Sequence, residues 1–524
     1  MHSLLRTACW VALSCLGVAC GEQRADVDNS AEVMASAVVG DQMVFVRRDD
    51  SRGVWLALGG DSPKARVTER TLPREPLLLE QRRDSQELLL LCRRPASAED
   101  GAEGTLVVLG AKGIARRYPL GTGYNKLMQS EDGRYVFLSS VAESSGATSY
   151  FNANDVSIVD LEEGPTENNP KQRNLSSGAE ALSAVFVSPD IPIGDESRRL
   201  AAVLFQSRLS ILDLTHPDRR EWTARLAAGE GQSNTVALRQ AAFSPDTLRI
   251  YLRGAASSDV YVLQLRARKA PDAGGNDFDF SLNQLGVGEV MTDMELLQTQ
   301  EGERLLATTV GPGLLVVNAD TSAVTRVALG RPATMIVPFS IDDQGDEPTQ
   351  HALLLAPGDT VATFVDLANL ETRKDRNLEA ITLRGSVASV TRLTANRLLV
   401  TYEGSGLSVI DLEGRTLSSI SSNSPLPAGA TLVDGGRDRV WLVPAGESRV
   451  GFFDLDAMQP REVRLDAPVA SAGLVGGSTV TRLAVLHPSL LGHVTLLDAD
   501  KPSRKTARSL RGFVFDGILD RGED

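Results

Sequence analysis

One short motif, a strand closed by an acidic turn, returns along nearly the whole chain. It is clearest as Asp155-Val-Ser-Ile-Val-Asp160-Leu161. Equivalent runs end at Asp213, Gln264, Asn318, Asp366, Asp411, Asp454 and Asp498. From Asp160 onward these terminal positions lie 53, 51, 54, 48, 45, 43 and 44 residues apart. Two weaker copies precede them, Thr105-Leu-Val-Val-Leu-Gly110 and Gly53-Val-Trp-Leu-Ala-Leu58. Each run is short and rich in Val, Leu and Ile, which favours strand over helix. A terminal carboxylate or amide suits a strand end, because its oxygen accepts hydrogen bonds from amides two residues on. Asp160, Asp213, Asn318, Asp366, Asp411, Asp454 and Asp498 are therefore read as structural turn residues.

A second strand precedes most copies, itself introduced by a turn. Ser130-Glu131-Asp132-Gly133 leads into Arg134-Tyr-Val-Phe-Leu138, and Ser244-Pro245-Asp246 into Leu248-Arg-Ile-Tyr-Leu252. Asp434-Gly435-Gly436 leads into Arg439-Val-Trp-Leu-Val443. An apolar strand comes before that turn, as in Ala184-Val-Phe-Val187 or Ala241-Ala-Phe243. A fourth follows the acidic turn, as in Val324-Thr-Arg-Val-Ala-Leu-Gly330. Four short strands per unit of this length is the pattern of propeller blades. The order of motifs resembles YVTN-type and WD40-like β-propellers over about residues 33–515. The expected fold is all-β, a propeller of four-stranded blades. Ten units can be counted, and a single array is favoured, with a ring of seven or eight blades as the alternative. The run Gly512-Phe-Val-Phe-Asp-Gly-Ile-Leu519 is a candidate closing strand. Two Gly- and Asp-rich insertions, 270–279 and 340–348, read as exposed loops.

The first residues have a different character. Arg6 supplies a positive charge ahead of an apolar stretch from Ala8 to Ala19. That stretch is too short for a membrane span, which needs about 20 residues, and fits a secretory leader. Leu16-Gly17-Val18-Ala19-Cys20 resembles the lipobox of bacterial lipoproteins. The resemblance implies cleavage before Cys20 and lipid attachment to its thiol. Gly17 stands where that family prefers Leu, Val or Ile, and Cys15 is a second, weaker candidate. An ordinary leader cleaved after Ala19 is the plainer alternative. The expected organisation is a signal peptide over 1–19, a polar tether over 20–32, the propeller over 33–519 and a polar tail over 520–524. Gly21 is not the aspartate that, in some bacterial lipoproteins, marks inner-membrane retention. The expected location is thus the cell envelope, with the outer membrane favoured.

Charge narrows the partners. The net charge is −14, the wrong sign for neutralising phosphates, so no nucleic-acid partner is expected. If Cys20 is lipidated, the mature chain keeps one thiol, Cys92, and no internal disulfide. Cys92 follows four leucines and reads as a small buried apolar residue. His216, His351, His487 and His493 are not at metal-ligand spacing, and no metal site or other cofactor is expected. Calcium, which takes several oxygen ligands, finds its nearest match in Asp342-Asp343-Gln344-Gly345-Asp346-Glu347. Neither a Gly-x-Ser-x-Gly elbow nor a phosphate-binding Gly-x-x-x-x-Gly-Lys-Ser/Thr loop occurs, and no catalytic residue is assigned. The expected function is a non-catalytic, membrane-tethered scaffold binding an envelope protein or a glycan. Two alternatives stay open: an enzyme, since YVTN-like propellers resemble lactonases and quinoprotein dehydrogenases, and an outer-membrane assembly component.

Overall fold

The structure, a computed structural model, describes residues 33–511 except 48–50, 58–65, 74, 84, 94–103, 122–123, 141–153, 176–182, 206–207, 226–237, 256–257, 268–277, 300–301, 342–348, 368–377, 404–405, 421–429, 435–436, 477–480 and 490–491. Its strands form ten four-stranded antiparallel sheets and one two-stranded hairpin, with no helix among the described residues. The sheets are consecutive in sequence: blades 1 to 10 span 33–71, 76–120, 126–174, 183–225, 238–286, 291–328, 335–382, 387–420, 430–464 and 471–511. Within each blade the strands pair in chain order. Blade 4 alone carries the extra hairpin, Ile191–Ile193 with Glu196–Arg198, between its first and second strands. The ten-unit count is met, and the seven- or eight-blade alternative is not.

The repeat motif is the third strand of its blade, as at Asp155–Asp160, Leu407–Asp411 and His493–Asp498. Second and third strands carry unbroken apolar runs because both their faces are covered by neighbouring blades. Every residue of Leu88–Cys92 and of Arg439–Val443 is buried. Cys92 lies in this layer, and burial pushes its thiol up to about 12, with Arg117 opposing. Fourth strands instead alternate exposed and covered positions, as in Gly113–Leu120. They form the rim. First strands of successive blades approach one another and line the axis.

The core lies between blades. Ten apolar clusters each join two successive blades, from Trp55 against Leu88 between blades 1 and 2 to Trp441 against Leu483 between blades 9 and 10. The cluster that closes the ring sets Met43, Phe45, Val54 and Leu56 of blade 1 against Val475, Ala484, Val494 and Leu496 of blade 10. Fully burying one Val, Leu, Ile or Phe side chain is worth about 1.5–3 kcal/mol. A typical hydrogen bond nets about 1 kcal/mol. Apolar packing between blades therefore dominates the stability of the ring.

Two sequence expectations need correction. The insertion at 270–279 is not loop to its end: Phe278 and Asp279 begin the strand Phe278–Gly286, and Phe278 is buried. Its ring meets Phe280, which packs edge-on against Trp222 of blade 4, so apolar rings draw the strand start inward. Blade 1 also needs no strand from the C-terminus, because its four strands all come from 33–71. The candidate closing strand 512–519 lies outside the described residues, as do the leader, Cys20, the tether, the C-terminal tail and the acidic run 342–347.

At the seam the innermost strands nearly touch. A Cβ placed on Gly473 would sit 2.3 Å from Cγ2 of Val38 in blade 1. Valine is stiff at χ1, so it has little room to yield. Gly473→Ala should destabilise the ring by about 1–3 kcal/mol, the usual cost of overpacking. Adding Val38→Ala should recover most of that loss, and thermal unfolding of the single and double variants measures both.

Candidate functional site

The acidic turns share one geometry. Each third strand ends opposite the start of the second, so the registers place Arg249 against Gln264, Arg304 against Asn318, His351 against Asp366, Arg397 against Asp411, Arg439 against Asp454 and Arg482 against Asp498. Several pairs are bonded. Arg134 Nη2 donates to Asp160 Oδ2 at 2.8 Å, Arg439 Nε to Asp454 Oδ1 at 2.6 Å and Arg249 Nε to Gln264 Oε1 at 2.8 Å. Arg198 pairs with Asp213 at 3.3 Å with both side chains buried, and burial pushes the Asp213 carboxyl up. His351 Nδ1 lies 3.7 Å from Asp366 Oδ1.

The same oxygens also organise the turn beyond. Asp213 Oδ1 accepts the amides of Thr215 and His216, Asn318 Oδ1 those of Asp320 and Thr321, and Asp498 Oδ1 those of Asp500 and Lys501. Asp411 Oδ1 accepts the Gly414 amide at 2.8 Å. The residue after the acidic position then receives an arginine from the preceding blade. Arg116, Arg249 and Arg439 donate to the carbonyls of Leu161, Ala319 and Ala499 respectively. Arg249 and Arg439 each thus tie the strand end of their own blade to the next blade, at the interfaces of blades 5 and 6 and of blades 9 and 10.

The histidines are spread over the blades. His216 Nε2 lies 2.7 Å from Glu196. The rings of His487 and His493 lie 4.3 Å apart in blade 10, tilted by 37°, and burial lowers the pKa of both. The ring nitrogens of His487 are taken by the Pro468 carbonyl and the Thr495 hydroxyl. Among the described residues no three His, Cys, Asp or Glu side chains converge as metal ligands. With no helix among the described residues, none there is long and apolar enough to cross a membrane.

A pocket does form on the axis. A cavity of about 520 Å³ is lined by the first strands of blades 2 to 6 and the turns that follow them. Glu80 and Arg83 come from blade 2, Met128, Gln129 and Glu131 from blade 3, and Phe186 from blade 4. Blade 5 adds Arg239 and Gln240, and blade 6 adds Met294 and Glu295. Two amides are fixed by neighbouring blades. Gln129 Nε2 donates to Glu80 Oε2 at 3.1 Å and to the Gln81 carbonyl at 2.9 Å, while its Oε1 accepts the Arg83 amide. Gln240 Nε2 donates to Asp293 Oδ1 at 2.6 Å, and its Oε1 accepts from Arg253. Asp293 in turn accepts the Ile336 amide of blade 7 at 2.8 Å.

β-Bulges help aim these groups. The first strands of blades 5 and 6 shift register between Leu238 and Gln240 and between Met291 and Asp293. A bulge re-aims the side chains beside it, and here Gln240 and Asp293, each next to an unpaired residue, reach across to the next blade. Glu295 is held between these strands. Burial pushes its carboxyl up to about 7, reinforced by the nearby charges of Asp293 and Glu131.

The turn residues read from sequence, Asp160 to Asp498, lie at the ends of third strands, away from this pocket. Sequence reasoning did not single out the pocket residues. Their one signal was polarity within the first strands, at Glu80, Gln129, Gln240 and Glu295. The arginine partners of the strand ends were also missed, although Arg134, Arg249 and Arg439 stand at or beside the start of the second strands.

No protein-family model and no curated protein matches the chain. Among solved structures, a dihydro-heme d1 dehydrogenase, NirN, is similar at 12% identity with a TM-score of 0.38, over 78% of this chain and 71% of its own. A eukaryotic initiation factor is similar at 10% identity with a TM-score of 0.42, over 91% of this chain and 95% of its own. The β-propeller domain of Myceliophteria thermophila Cps50 (Swd1) is similar at 15% identity with a TM-score of 0.29, over 73% of this chain and 94% of its own. No residue role follows from likenesses this distant, and the fold here rests on the chain's own strand pairing.

Arg439→Lys keeps a charge but loses the planar fork that reaches Asp454 and the Ala499 carbonyl together. It should destabilise the ring by about 1–3 kcal/mol, measured by denaturant unfolding. Glu295 gives a pH signature. Its folded pKa is raised, so the stability it contributes is full below about 4.5 and is lost as pH rises towards about 7. Glu295→Gln should therefore leave the melting midpoint unchanged at pH 4 and raise it by about 1–3 °C at pH 8.

Proposed function

We propose that this protein is a non-catalytic binding scaffold, tethered to the bacterial cell envelope through a lipid on Cys20. One observation carries the binding reading: the first strands of five blades and their turns converge on one axial pocket, and four of those blades bring polar side chains to it. A concave site with a few convergent polar groups is the usual form of a binding site. A ring closed by packing between all its blades holds such groups in fixed positions, which keeps the entropy cost of binding low. The tether reading comes from the leader and from Leu16-Gly17-Val18-Ala19-Cys20. The outer membrane is the favoured location, and the client is an envelope protein or a glycan.

A second reading, an enzyme, has one observation in its favour. Glu295 keeps its proton up to about pH 7, as a general acid working near neutrality must. The scaffold reading is preferred because the charged groups around the pocket are of both signs and spread over several blades.

The test is a cross-linked pull-down of the full chain from membranes of its own organism, beside Cys20→Ala. Wild type should fractionate with membranes and capture a specific envelope component, and Cys20→Ala should be released and lose most of the capture. Equal solubility of the two forms, with no partner, would overturn the tethered scaffold.

A further inference from the structure

We propose that the axial pocket takes a neutral saccharide, seated against the ring of Phe186 and hydrogen-bonded by side chains from the neighbouring blades. This deepens the binding reading and rests on it. The cavity, about 520 Å³, falls within the range of small-molecule sites, roughly 300–1,000 Å³. Its polar lining decides the ligand class. Carboxylates of Glu80 and Glu131 stand with the carboxyl of Glu295 and the guanidinium groups of Arg83 and Arg239 around one space. An anion would meet the carboxylates, and an organic cation would meet the guanidinium groups. A polyhydroxyl ligand satisfies both, because each hydroxyl is a donor and an acceptor at once.

The apolar lining agrees. Phe186 is only half-buried although it lies on a first strand, and it lines the cavity together with the small side chains of Ala184, Ala241 and Ala242. An aromatic face offers a flat apolar surface to the C–H face of a sugar ring, while the polar groups around it take the hydroxyls. Gln129 and Gln240 are already bonded across blades, so they hold the neighbouring carboxylates in place before any ligand arrives. Glu295, protonated near neutrality, can donate as well as accept.

The experiment is calorimetric titration of the purified full chain with short malto-, cello- and chito-oligosaccharides. One series should bind. Phe186→Ala should weaken it about tenfold, and Phe186→Trp should keep it within about threefold. Phe186 also packs against the core between blades 3 and 4, so Arg239→Ala, at an exposed position, is the second variant. It should weaken the same series without moving the melting midpoint. No binding of any series at about 10 mM would overturn the proposal, as would unchanged affinity in both Phe186→Ala and Arg239→Ala. An envelope protein captured equally well by wild type and by Phe186→Ala would leave the scaffold standing and overturn the saccharide pocket. Saccharide binding by a chain that never fractionates with membranes would do the reverse.

Discussion

Contact between blades is what the rest of the structure depends on. A four-stranded sheet whose inner strands are apolar on both faces cannot bury itself. Leu88–Cys92 and Arg439–Val443 are covered only because a second sheet lies on each side. Ten such sheets solve the problem together by closing a circle, and the last interface, between blades 10 and 1, is as apolar as the others. A free terminal blade would expose one face of its core to water. Closure therefore follows from the same burial that orders each strand.

Directional bonds do a different job. Arg249 and Arg439, at the starts of second strands, join the polar strand end of their own blade to a carbonyl of the next. Their energy is small beside the packing, yet they fix how far one blade turns relative to its neighbour. Packing alone tolerates sliding; a planar guanidinium bonded on two sides does not. At the axis, Gln129, Gln240 and Asp293 perform the same service across first strands. The pocket inherits its geometry from that registration.

The fold was largely legible in the sequence because its repeat is local. Asp160, Asp411 and Asp498 each close a strand within a few residues of the apolar run that marks it. The pocket was not legible, because its members are separated by whole blades: Glu80 and Glu295 come together only when the circle forms. The arginine partners fell between these cases. Arg249 and Gln264 lie one hairpin apart, yet their pairing depends on register, which a list of strands does not contain. Phe278 was hidden for another reason. Its Gly- and Asp-rich neighbours read as loop, and only the rings of Phe280 and Trp222 explain why a strand begins there.

Among the described residues, each blade is built from one consecutive run of the chain and lends no strand to another. Rings that interleave their two ends are locked to one copy number, since the shared sheet must always be completed. Here a blade boundary is also a boundary in the gene. One recombination between neighbouring units could add or remove a complete sheet without severing any strand pairing, leaving only the wedge angles to readjust.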